Sequence, residues 1–554
     1  MNFFRTLALL AVLTASAAQA RVVFEAGEHP VAAFRDVEKV DPTCSGADPS
    51  FLCALQDATL TRIPTKGVDL FFTPAGELAA AYGKAQRGQT LNEYTLDVRT
   101  NLIPFDSAIP GMALLIDGVY YLPENVDGGF ERVDANTYLG TFHARVAGFE
   151  VERIVRVSNV RDTTDVWLRV TRAAAGAAGG VAAAGAAADV ADEGAAAGAA
   201  DASDGAADAS DVASEAPAGE TLIQIAMPGI GRTASPVVKI GQGEQFSLNP
   251  PERSVPDASY ASLQNNDNNR EFVLLMVPGE TADGLAASYM RPNRVAFETT
   301  MPAGEGAEAV LDVGVYTGNN ELVRFSQEGY LELPGLFRPN ILGRLSLAII
   351  WVLEYIHRFV PSWGLSIIVL TLLFRALVWP LITTQTKSMF GMQKLQPKLQ
   401  EMQRKYKDDR EKLTQETMKL YREAGVNPAG GCLPILLQMP LFIILWRVFV
   451  NFEFGEGFLW LPDLGQADPF YILPILYVAV MVATSWFSAK GNPQMLRQSM
   501  IINVVFVFII VGFPAGVLLY YVVSMLVQVI QYWLISRGQE PPRAAVAVAG
   551  KRGK

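Results

Sequence analysis

Residues 363–381 read WGLSIIVLTLLFRALVWPL, an apolar run interrupted by one charge, Arg375. A stretch of about 18 or more nearly uncharged apolar residues reads as a transmembrane helix. An arginine near its middle costs about 2.5–3.5 kcal/mol on insertion scales and sits too deep to reach either surface easily. Something polar must therefore face it. Thr371 and Trp379 lie one helical turn to either side, and the three residues form a polar and aromatic stripe that cannot look at lipid.

Further apolar runs follow this one. Spans are expected at about 363–383, 432–452, 470–488, 498–514 and 516–535. The last two form one continuous run. As a single helix it would reach roughly 55 Å, far beyond a hydrocarbon core of about 30 Å. A tight hairpin turn at Phe513-Pro514-Ala515-Gly516 resolves this, because Pro and Gly break the helix. The polar stretch 385–428 reads as a helical hairpin with Leu395, Leu399, Met402 and Tyr406 along one stripe. Asp408 or Asp409 can cap its second helix, and Gly425 with Asn427-Pro428 stops it. Ahead of the first span, residues 336–361 read as an amphipathic helix in the membrane interface. Its expected apolar stripe is Leu345, Ile349, Val352 and Ile356, and Pro361 ends it.

Charge fixes the expected orientation. The 385–428 hairpin holds ten Lys/Arg against six Asp/Glu, the next short loop carries Lys490 and Arg497, and the 538–554 tail is basic. The loop from Glu453 to Pro469 has four acids and no Lys or Arg. By the positive-inside rule the basic segments and the C-terminus are cytoplasmic, and the acidic loop shares the outer side with the N-terminal half. The net charge of −11 hides this split. It marks orientation in a membrane and does not point to nucleic-acid binding.

The N-terminal half has a different character. Residues 1–20 read as a signal peptide or signal anchor, with Arg5, a short apolar core and Ala18-Gln19-Ala20 as an A-x-A cleavage pattern. Cleavage after Ala20 is the expectation, and either outcome exports the residues beyond it. Residues 21–335 are expected to form an all-β, sandwich-like exported domain, with strands at Val151–Val157, Asp165–Val170 and Phe272–Val277. Residues 173–220 are nearly all Ala, Gly, Asp and Ser. They cannot bury enough apolar surface to fold alone and read as a disordered insertion in a surface loop. Among three cysteines, Cys44 and Cys53 lie close enough for one small bridge, and Cys432 reads as a packing residue.

The expected fold is thus an α-helical membrane bundle of five spans plus an all-β domain. Its chemistry centres on Arg375. Gln438 lies in the second span, and Tyr521, Ser524, Gln528 and Gln531 recur along one side of the last. These imply a hydrophilic cavity around the arginine. No Asp or Glu lies within the five spans away from their ends, so no internal carboxylate is available to neutralise it. A polypeptide with an acidic extracellular tail would bring one. The membrane potential favours outward movement of that tail by about 2.3 kcal/mol per charge per 100 mV. Burial of the client's apolar span adds about 0.8 kcal/mol per CH₂. No phosphate-binding loop occurs, and His29, His143 and His357 lack metal-ligand spacing, so no cofactor, metal or catalytic group is expected. Two other readings were weighed. One is a transporter or channel for a small anion using Arg375. The other is an intramembrane hydrolase using Ser366 or Ser524.

The motifs carry a family resemblance. NPAGGCLPILLQMPLF (427–442) closely resembles the signature that follows the cytoplasmic hairpin of YidC proteins. The arginine-bearing stretch is similar to that family's first conserved span, and DPFYILPIL (468–476) and FPAGVLLYYVVS (513–524) resemble later ones. The likeness runs over about 340–537 in the same order and spacing. It implies insertion and folding of inner-membrane proteins, alone or beside the Sec translocon, with nascent membrane-protein clients, the ribosome and the lipid bilayer as partners. It also implies that Arg375 lies in a groove open to cytoplasm and lipid, with Thr371 and Tyr521 facing the client. Cys432, Pro434, Gln438 and Pro440, with Ile509 and Phe513, match the hydrophobic slide along which a client span leaves. Gly512 departs from the pattern, standing where an aromatic residue is common.

Overall fold

The computed structural model describes residues 27–30, 51–55, 58–84, 101–103, 107–173, 219–230, 236–250, 254–265, 272–282, 284–290, 294–319, 321–336, 339–407, 409–424, 433–488 and 510–537, with isolated helical residues between 496 and 504. The expected signal segment, most of the Ala/Gly/Asp insertion, Cys44, Cys432, Ile509 and the basic tail lie outside them. The chain divides into two compact units, Met1–Arg338 and Pro339–Lys554.

The first unit is built of strands. Chain order gives β1 (Gly27–Pro30), helix α1 (Phe51–Ala54), β2 (Thr59–Pro64), β3 (Val68–Phe72), β4 (Leu78–Gly83), β5 (Ala113–Ile116) and β6 (Val119–Tyr120). Next come β7 (Glu124–Arg132), β8 (Thr137–Val146), β9 (Phe149–Ser158) and β10 (Thr163–Arg172). After the insertion follow β11 (Thr221–Met227), β12 (Val237–Gln242), β13 (Gln245–Leu248), β14 (Ala258–Asn265), β15 (Phe272–Pro278), β16 (Ala286–Met290), β17 (Arg294–Met301) and β18 (Glu308–Asn319). They form a four-stranded sheet β1-β2-β3-β4, a nine-stranded sheet β13-β12-β14-β15-β18-β10-β9-β8-β7 and a five-stranded sheet β16-β17-β11-β5-β6, antiparallel throughout.

Period-two alternation is plain in β9 and β10. In β9, Phe149, Val151, Val155 and Val157 are buried and alternate with more exposed positions, and β10 pairs with it through Val166, Leu168 and Val170. Residues from all three sheets enter one core, which includes Phe72, Leu168, Ile225, Phe297 and Val313, so the sheets bury a shared apolar interior. The three runs singled out as strands all lie inside strands. The insertion leaves β10 and re-enters β11 at one place, because Arg172 Nη2 donates to Thr221 Oγ1 at 2.8 Å and to the Gly219 carbonyl at 3.2 Å. Cys53, in α1, is disulfide-bonded. Helix α2 (Leu322–Gln327) and a 3₁₀ turn (Tyr330–Glu332) close the unit.

The second unit is helical: α3 (Ile341–His357), α4 (Trp363–Lys405), α5 (Arg410–Glu423), α6 (Leu433–Asn451), α7 (Ile472–Ser488) and α8 (Ala515–Arg537). Within α4 and α8, Trp363–Thr384 and Ala515–Ile535 are long and apolar enough to cross a membrane, and Gln438–Asn451 and Ile472–Trp486 are shorter apolar helices. About half of the run expected at 498–514 lies outside the described residues; within it Met500, Ile501, Asn503, Val504 and Ile510 are helical. Asn503 Nδ2 donates to Ser485 Oγ at 3.0 Å and ties that segment to α7.

Three details differ from the sequence reading or complete it. Helix α4 does not end near 383. It continues unbroken to Lys405, so the first arm of the polar hairpin is the same helix as the first apolar run. Hydropathy marked where lipid would end, and the Gln-, Lys- and Leu-rich residues beyond it keep strong helix propensity. The buried face of α3 is Gly343, Ser346, Ile350, Leu353 and Ile356, and Leu345 is exposed. Large apolar residues occupy most of this helix's circumference, so its small residues pack against protein while Ile341, Trp351, Tyr355 and Phe359 face outward. Asp409, of the two candidates, caps α5, with its carboxylate accepting from Lys412 N at 3.0 Å.

Candidate functional site

Helices α4 and α8 meet along a polar seam. The stripe Thr371, Arg375, Trp379 and Thr383 recurs every four residues on α4, while Leu372, Leu373, Leu377 and Leu381 on the other side are exposed. Arg375 is 8% exposed, and its Nε donates to Ser524 Oγ on α8 at 2.6 Å. It makes no ion pair among the described residues. The ionisable groups acting on it are the phenols of Tyr520 and Tyr521. Thr371 is fully buried and returns its hydroxyl to its own helix, donating to the Ile367 carbonyl at 2.6 Å. Two turns beyond Arg375, Gln531 Nε2 donates to the Trp379 carbonyl at 3.1 Å and to Thr383 Oγ1 at 2.9 Å.

The structure therefore brings Arg375 and Ser524 together and sets Thr371 one turn away. Gln528 stands exposed, whereas Gln531 is buried. At about 100° per residue, Gln531 falls within about 20° of Ser524 around α8, and Gln528 about 40° to the other side. Tyr521 is half-buried on that same side. Its ring lies 6.1 Å from Phe442 and 6.3 Å from Tyr477.

Helix α6 supplies the apolar neighbour. Gln438, Phe442 and Trp446 recur every four residues on one face. Phe513, in the turn before α8, packs at 5.8 Å from Phe442 and 4.8 Å from Trp446. Pro440 lies inside α6, is exposed, and removes a helical hydrogen bond to the Leu436 carbonyl. Met439 and Ile443 beside it are exposed as well. Pro434 lies in the first turn of α6, with its side chain outside the described set. Sequence reasoning missed Phe442, Trp446, Tyr477 and Tyr520. The four-residue spacing of Phe442 and Trp446 from Gln438 was the available signal.

Aromatic rings gather at the start of α4 and form a plug there. Trp363 stacks on His357 at 3.7 Å and packs edge-on against Phe452 at 5.0 Å, and Phe449 and Phe454 join them. Glu456 accepts from Trp363 N at 3.2 Å, and Asp468 accepts from Leu473 N at 2.7 Å, so acids of the 453–469 loop hold the starts of α4 and α7. The turn before α8 is pinned by Ala515 N to Gln466 O at 2.6 Å and Gly516 N to Leu464 O at 2.8 Å. A Cβ on Gly516 would come within 3.2 Å of that carbonyl, so a larger residue would push the two segments apart by a few tenths of an ångström. Arg375 lies about 18 Å along α4 from this plug.

Apolar helices holding a buried arginine on a polar seam, in one chain with a large β-sheet unit, define the class: an α-helical membrane protein. Residues 355–542 match the family model described as 60Kd inner membrane protein. The chain is 36% identical over 336 residues to the membrane protein insertase YidC of Deinococcus radiodurans, covering 59% of this chain and 77% of that one. The corresponding protein of Haemophilus influenzae is 44% identical over 195 residues, 34% of this chain and 36% of that one. The fold is similar to the crystal structure of an active YidC insertase with its first transmembrane domain resolved. That likeness has a TM-score of 0.50 at 19% identity and covers 90% of this chain and 95% of that one. The chain belongs to the YidC family of membrane protein insertases and is an inner-membrane protein. The anion transporter weighed from sequence finds no support among these relatives.

Proposed function

We propose that the protein inserts client membrane proteins by receiving an acidic client segment in the seam between α4 and α8, where Arg375 supplies the counter-charge. The observation that carries this reading is that Arg375 is buried, bonded to Ser524, and without a carboxylate partner among the described residues. A desolvated, unpaired guanidinium is costly, and an arriving carboxylate relieves that cost. The aromatic plug at Trp363, Phe449, Phe452 and Phe454 blocks the outer end, so the client enters from the opposite, basic side. Its apolar span leaves past the α6 face and Phe513, with Cys432, Pro434, Pro440 and Ile509 extending the slide. Thr371, Gln438, Tyr521 and Gln528 line the route. The scheme has no covalent step and uses no cofactor.

In this reading the chain crosses the inner membrane five times after its N-terminal segment, with the β unit periplasmic and the C-terminus cytoplasmic. The basic hairpin and tail face the cytoplasm, where a ribosome and the Sec translocon would deliver clients. The 336–361 segment lies in the outer interface.

Purified protein in vesicles should integrate a short single-span client with an acidic N-tail. Arg375→Ala should slow that client by about tenfold, the order expected for losing one charge-assisted contact. Unchanged integration of both acidic and neutral clients in that variant would overturn the reading.

A further inference from the structure

Tyr520 is buried, 2% exposed, and its hydroxyl has no hydrogen-bond partner among the described residues. Buried phenols normally find one, and an orphaned hydroxyl in a packed helix bundle is costly. Ser524, one turn further along α8, and Gln438 of α6 both lie beside it, but neither completes a bond of usable geometry. Ser524 Oγ is already the acceptor of Arg375 Nε. Two donors thus converge beside Ser524: a guanidinium without a carboxylate and a phenol without an acceptor. Both lack the same thing, a negatively charged oxygen.

We infer that Tyr520 determines specificity in the groove, its hydroxyl donating to one oxygen of a client carboxylate whose charge Arg375 holds. This rests on the function proposed above and adds a second ligand to it. A lone guanidinium attracts anions of any shape. A hydroxyl at a fixed place beside it favours a carboxylate, whose two oxygens can take one donor each. Tyr521, one residue on, is turned about 100° away and packs in the aromatic row with Phe442 and Tyr477, so the adjacent tyrosines have separate tasks.

Tyr520→Phe removes the hydroxyl and keeps the ring. The full-length protein is reconstituted in vesicles and given two clients that differ only by Asp or Asn in the N-tail. Tyr520→Phe should slow the Asp client about fivefold, consistent with one hydrogen bond to a charged group, and leave the Asn client unchanged. On an Arg375→Ala background it should add little, because the two groups act as one. Equal slowing of both clients, or of neither, overturns the inference. If Arg375→Ala slows the Asp client and Tyr520→Phe does not, this inference alone falls. If Arg375→Ala has no effect on either client, the groove reading falls with it.

Discussion

Arg324 in the β unit and Arg375 in the helical unit are equally well hidden, yet their surroundings are opposite. Arg324 Nε meets Asp162 at 3.1 Å, and its Nη2 meets Glu328 at 2.7 Å. In the same unit, Arg62 and Lys84 share Asp69 at 2.6 and 2.9 Å, and Arg153 faces Glu77 at 3.6 Å. Arg375 has a serine and two tyrosines. These cations of the β unit take carboxylates from within the chain. Among the described residues the chain supplies none to Arg375, and in the function proposed above a client brings it. On that reading Arg375 keeps an unmet electrostatic demand that these paired cations do not have.

The contrast breaks if the β-unit pairs prove dispensable. Arg324→Ala takes a basic partner from each of two buried carboxylates, Asp162 and Glu328, leaving Arg161 on Glu328 at 3.0 Å, and should destabilise the β unit by about 3–5 kcal/mol in denaturant unfolding. A loss under about 1 kcal/mol would mean that pairing is not what secures these cations. A sharper variant gives Arg375 what it lacks. Ser524→Asp should leave thermal stability equal or higher while cutting integration of an acidic-tail client about tenfold, since the demand is then met from within. Normal integration in that variant would show that an internal acid does not compete with the client.

A smaller effect concerns Glu77, whose Oε2 accepts from Tyr120 at 2.9 Å. Burial pushes its carboxyl above the ordinary value, outweighing the downward pull of Arg153 and of the Tyr120 hydroxyl. The folded form therefore binds this proton more tightly than the unfolded form. The stabilisation is full below the ordinary value of 4.5 and is lost as pH rises through the raised one. Wild type should lose stability relative to Glu77→Gln across that window in urea titrations at successive pH values. A difference that moves the other way would show that the Arg153 pairing dominates. The smallest effect belongs to Gln531→Leu, which removes the second link between α4 and α8. It should cost about 0.6 kcal/mol, typical of a hydrogen bond between membrane helices. Unfolding in mild detergent would measure it, and a cost above about 2 kcal/mol would make the seam itself the source of the bundle's stability.

Much of this was legible in the sequence because its physical signals are local. Long apolar runs marked the apolar helices, Phe513-Pro514 marked the turn before α8, and richness in β-branched and aromatic residues marked β9, β10 and β15. Arg375 stood out because a charge in an apolar run has an obvious cost. Other features were settled by packing between distant segments. The pairing of β10 with β18 spans the insertion and gives no local sign. The choice of Gln531 over Gln528 depended on where α4 approached α8. The buried face of α3 was misplaced because apolar residues nearly encircle it, so periodicity had no unique answer. The apolar span of α4 was legible, but its unbroken run into the polar hairpin was not, because hydropathy reports the surroundings of a helix and not its length.

Reversal of charge puts the withheld partner to its most direct trial. In vesicles without a membrane potential, Arg375→Glu is paired with two clients whose N-tails carry either aspartate or lysine, and integrated client is counted by protease protection. The account predicts that the variant loses the aspartate client and gains the lysine client relative to wild type. Equal decline of both would contradict it and leave Arg375 as an ordinary structural residue.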